Sequence, residues 1–94
     1  MALAAAKDLP TLSLTDALEL TILVARKDRR RHPRMAARWL LRYLEEHPSA
    51  TIEDAALAAS SLIALTGVSR AEATETLRAM AERATSRRRA RDKV

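Results

Sequence analysis

Three short signatures divide the chain and limit what it can fold into. "SLTD" at 13–16, "TIED" at 51–54 and "SRAE" at 69–72 each set a hydroxyl residue three positions before a carboxylate. Such a hydroxyl oxygen accepts from a backbone N–H in the first helical turn. The carboxylate returns a bond or sits at a positive helix end. Each signature opens a run rich in Ala and Leu, residues that favour helix. A fourth start lies at "HP", 32–33, where His32 can act as an N-cap and Pro33 suits the first helical turn. Pro48 closes the second segment. Gly67 closes the third and is expected in a left-handed conformation.

These signals predict an all-α fold: a compact four-helix domain of two helical hairpins over residues 12–85. A flexible N-terminus, 1–11, precedes it, and a basic disordered tail, 86–94, follows. The first helix turns Leu14, Ala17, Leu18, Ile22 and Ala25 to the core. Leu20, Leu23 and Val24 make it apolar most of the way round, which implies a central helix or one covered by a second chain. Those three residues are the expected homodimer interface. The second helix carries Met35, Ala36, Trp39, Leu40, Tyr43 and Leu44, with Trp39 in the core. Ile52, Ala55, Ala56, Ala59, Leu62 and Ile63 share a face of the third. Ala73, Thr76, Leu77, Met80 and Ala84 form the inner face of the fourth.

Catalysis finds little support. The 94 residues include no Cys, which removes disulfides, thiolate metal sites and Cys nucleophiles. His32 and His47 are isolated. There is no paired-His motif, Gly-rich phosphate loop or nucleophile elbow. The chain therefore reads as non-enzymatic, with no catalytic residue, metal or cofactor. Its longest apolar stretch, 14–25, contains Asp16 and Glu19 and falls short of the ~20 residues of a membrane span. "MALAAAKDLP" lacks the basic region of a secretory signal, so a cytoplasmic location is expected.

Charge is the informative property. The net charge is +5, and it is segregated. Residues 26–42 hold eight basic side chains and one acid, residues 44–82 two and seven, and residues 83–94 six and one. The basic corner suits a helix C-terminus without any ligand. It also suits phosphate. Arg34, Arg38 and Arg42 are spaced i, i+4, i+8 on one stripe. With Arg30, Arg31 and the tail residues Arg87, Arg88 and Arg89 they are the candidate contacts to a DNA or RNA backbone. Such binding is chiefly electrostatic. With only Trp39 and Tyr43 aromatic, stacking on single strands is poorly supported. Residues 60–80 partly match a helix-turn-helix, in which Val68 would pack between the helices. Glu72, Glu75 and Glu82 on the outward face of the last helix would oppose a polyanion.

The stretch "DALELTILVARKDRRRHPRMAARWLLRYL" resembles a group of small Ala-, Leu- and Arg-rich actinobacterial proteins, often of mobile elements. Asp16-Ala17-Leu18, Leu23-Val24-Ala25, Lys27-Asp28, Arg31, Arg34, Ala36-Ala37, Arg38-Trp39 and Arg42 carry the likeness, and "TIEDAALAASSLIAL" extends it across residues 12–66. The resemblance implies an all-helical fold and a bacterial cytoplasm, and lends no activity. The expected function is a non-enzymatic nucleic-acid-binding accessory protein that contacts phosphates through its basic clusters; the alternative is a protein–protein interaction module or homodimeric adaptor without nucleic-acid binding.

Overall fold

The computed structural model describes residues 12–92, with side chains described through Ser86. The helices are α1 (Leu14–Lys27), α2 (His32–Glu46), α3 (Ile52–Ala64) and α4 (Arg70–Asp92). No strand occurs among the described residues. The four-helix, all-α fold is as the caps predict. Ser13 Oγ accepts from the Asp16 N–H at 3.0 Å and starts α1. Thr51 and Asp54 form a reciprocal capping box on α3, each bond 3.0 Å.

Short links make neighbours of consecutive helices. α1 packs on α2 and α4, α3 packs on α2 and α4, and α2 also touches α4. Leu14, Leu18, Ile22 and Ala25 of α1 meet Ala36, Trp39 and Tyr43 of α2 in the core. Ala58, Leu62 and Leu65 join from the α3 side, and Ala73, Leu77, Met80, Ala81 and Ala84 from α4. Trp39 is 2% exposed, and its Nε1–H donates to the Leu14 carbonyl at 3.0 Å. Its ring stacks on Tyr43 with centroids 5.5 Å apart and planes 18° from parallel. Tyr43 in turn contacts the buried ring of His47.

The structure corrects five local expectations. His32 is not a cap: helix α2 begins on it, Arg31 precedes it, and its ring is buried against α3. Gly67 does not have a positive φ, because the chain leaves α3 through a right-handed turn at Leu65. A Cβ at Gly67 would meet only the Ala64 carbonyl oxygen, at 3.7 Å. Val68 is fully exposed rather than wedged between helices. α4 continues through residues 86–92, where no order was expected, since Arg and Ala are good helix formers and cations suit a helix C-terminus. Finally α3 is rotated: Ala58, Ser61 and Leu62 face inward, while Ile52 and Ile63 face solvent. The expected flexible segment 1–11 and residues 93–94 lie outside the described residues.

Trp39→Ala should destabilise the fold by about 3–5 kcal/mol, through the cavity left by a large buried ring. The buried Leu14 carbonyl also loses a donor. Chemical denaturation measures it, and a loss below about 1 kcal/mol would show that Trp39 does not anchor α1 to α2.

Candidate functional site

The basic corner joins α1 to α2. Its cations fall into two groups by what they touch. Three are engaged in the fold. Arg29 donates to the Thr66 carbonyl at 2.5 Å, at the end of α3. Arg31 pairs with Asp28 at 3.3 Å, an exposed contact. Arg42 binds the Glu46 carboxylate at 2.5 Å and donates to the Leu12 carbonyl, so it ties the approach to α1 onto α2. Arg42 is only partly exposed and is thus a tether, which corrects its place in the expected phosphate stripe.

The second group has no internal work. Arg26, Lys27, Arg30, Arg34 and Arg38 are exposed and make no hydrogen bond or ion pair among the described residues. The expected contacts Arg87, Arg88 and Arg89 lie on the described backbone of α4, with side chains outside the described residues.

The solvent face of α4 carries Glu72, Glu75 and Glu82. Arg78, the cation among them, is held by Glu19 of α1 in a two-pronged pair at 2.7 and 2.8 Å. That hydrogen-bonded pairing holds the Glu19 carboxyl below its ordinary range, with partial burial opposing it, and holds Arg78 above its own. Arg78 therefore clamps α1 to α4 and is occupied.

A different surface stands out, and the sequence pattern did not single it out. Between α2 and α3 runs an open apolar groove lined by Pro33, Ala36, Leu40, Ala59, Leu62 and Ile63. His32 lies at its floor. Its Nε2 donates to the Leu62 carbonyl at 2.7 Å, since a carbonyl can only accept, and its buried Nδ1 has no hydrogen-bond partner. Of the residues that line it, Pro33, Ala37 and Ile63 are exposed, Ile63 at 73%; Ile52 at 88%, Leu41 at 59% and Ala56 are exposed elsewhere on the same two helices. On the expected interface of α1, Leu20 is 39% and Leu23 47% exposed and Val24 half-buried. Both patches are uncovered, and the α2–α3 face is the more exposed. The missed signal lies in α3 itself, whose apolar residues spread over more than one side and whose polar Ser61 is buried, so that polarity did not mark its outer face.

Among the described residues no cluster of His, Cys, Asp or Glu could hold a metal, and no helix is long and apolar enough to cross a membrane. Comparison with protein-family models, curated proteins and solved structures finds no match to this chain.

The two groups of arginines should separate by stability. Arg42→Ala is expected to cost about 1 kcal/mol, the lower end for charge-assisted hydrogen bonds in a partly exposed place. Arg34→Ala and Arg38→Ala should stay within about 0.5 kcal/mol of the parent. Urea denaturation of the three variants checks it. Equal effects would mean that Arg42 is no tether.

Proposed function

We propose that this chain is a non-enzymatic protein-interaction module whose docking surface is the face formed by α2 and α3. One observation carries this: an open apolar groove edged by the exposed Ile63 lies between α2 and α3 in a domain with a well-formed core, and Leu41 and Ile52 stand in solvent elsewhere on the same helices. Soluble monomers rarely leave large contiguous apolar patches uncovered, and a helix pair with a groove is a recurrent docking surface. Arg34, Arg38, Glu45 and Glu53 supply the polar rim that interfaces need.

A photo-reactive residue at position 63, introduced in the producing cell, tests the role. The expected result is one discrete protein adduct, identified by mass, that disappears when Ile52→Asp is added. Absence of a protein adduct, or an adduct with nucleic acid alone, would overturn it.

The unpaired cations favour a second reading, a nucleic-acid-binding accessory role for Arg26, Arg30, Arg34 and Arg38. Each phosphate contact on duplex DNA contributes about −0.9 to the log–log salt slope of affinity. Arg34→Ala and Arg38→Ala should each reduce that slope by about one, with unchanged sequence preference. No binding at low salt in a gel-shift titration would remove this role and leave the corner as helix-end charge.

A further inference from the structure

We propose that the occupant of the α2–α3 face is a second copy of this chain. The two-fold axis would lie in the plane of the face and cross both helices at about a right angle. This inference rests on the docking role proposed for the same face.

The first support is spacing. The exposed ridge of α2 that borders the face, turned away from the groove-lining Ala36 and Leu40, is Arg34, Arg38, Leu41, Glu45, and the ridge of α3 nearest the groove is Ile52, Ala56, Ala59, Ile63. Both follow i, i+4, i+7, i+11, so each lies on one helix stripe. That spacing reads the same in either direction. A ridge laid antiparallel on its own copy brings each position onto an equivalent one, as a two-fold interface requires. On α3 this sets Ile52 against the partner's Ile63 and Ala56 against the partner's Ala59. The small residues fall at the centre, where they let two helix backbones approach.

The second support is charge. The same operation sets Arg34 of α2 against the partner's Glu45, twice, once on each side of the axis. Neither Arg34 nor Glu45 makes a hydrogen bond or ion pair among the described residues, so neither contact competes with the fold. Arg38 then lays its aliphatic stem on the partner's Leu41. The other in-plane axis, along the helices, would place α2 on the partner's α3. It would bring Glu45 beside the partner's Glu53, a like-charge contact that disfavours it.

The third support is that one axis serves both ridges. α2 and α3 run antiparallel, because residues 47–51 join the end of one to the start of the other and His32 at the start of α2 bonds Leu62 near the end of α3. The ridge midpoints, between Trp39 and Leu40 and between Leu57 and Ala58, lie at matching distances from that link. Helices of 15 and 13 residues are each about 20 Å long. Side by side they present about 20 by 20 Å of flat area and more of accessible surface. That approaches the roughly 600–800 Å² per partner of a stable interface.

The full chain in analytical ultracentrifugation is expected to dimerise at micromolar concentration. Ile63→Asp should make it monomeric with an unchanged helical spectrum, whereas Leu23→Asp on α1 should leave the dimer intact. Arg34→Glu and Glu45→Arg should each weaken association at least tenfold, and the double exchange should restore it. The chain has no cysteine, so Ala56→Cys mixed with Ala59→Cys should give a covalent heterodimer on oxidation. A chain that stays monomeric to millimolar concentration overturns the proposal, as does a dimer lost in Leu23→Asp but kept in Ile63→Asp. If the chain is monomeric while position 63 captures a different, discrete protein in cells, the self-association fails and the docking role survives. If both tests are negative, both fail.

Discussion

The fold depends on α2 donating hydrogen bonds sideways from its buried side. Trp39 reaches the Leu14 carbonyl on α1, and His32 reaches the Leu62 carbonyl on α3. Each contact is a ring that fills core space and carries one N–H, so burial demands a partner for that N–H and the partner sets the neighbour's position. Arg42 and Arg29 repeat this at the margins, onto Leu12 and Thr66. Leu62 and Thr66 lie where α3 ends, and the Leu62 carbonyl accepts from the Leu65 N–H as well as from His32. With a core made mostly of Leu and Ala, which specify position weakly, these few polar tips lock the register of α1 and α3 on α2.

That lock explains why much of the basic cluster is structural. A guanidinium near a helix end finds carbonyls within reach, and Arg29 and Arg42 use them. The cations left over, Arg34 and Arg38 among them, sit beside the apolar groove. The same rim can therefore meet a carboxylate on a docking protein or a phosphate. Charge alone does not separate the two, but the exposed Ile52, Ile63 and Leu41 next to it favour an apolar partner surface.

The rotation of α3 links fold to function. Had Ile52 and Ile63 faced inward, the chain would have had no large apolar face on this side. Ala58 takes the inward place instead, fully buried. A small side chain there lets α3 approach its neighbours closely. The branched residues left outside weaken no internal packing and are free to serve a partner.

By itself the sequence determined the helices, through Ser13, Thr51 and Asp54 at their starts and the Ala- and Leu-rich runs between them. It also determined the inner face of α4, where polar positions such as Glu72 and Glu75 leave one apolar direction, and the core place of Trp39. These are local effects, set by groups within a few residues of each other. Only the tertiary structure decided which side of α3 is buried, since Ile52, Ala56 and Ile63 are as apolar as Ala55, Ala58 and Leu62. Only it decided which arginines are spent, since Arg42 and Arg34 occupy one stripe and differ in the carbonyl within reach. A residue's own chemistry states what it can bind, and its neighbours in space, fixed here by α2, state what it does bind.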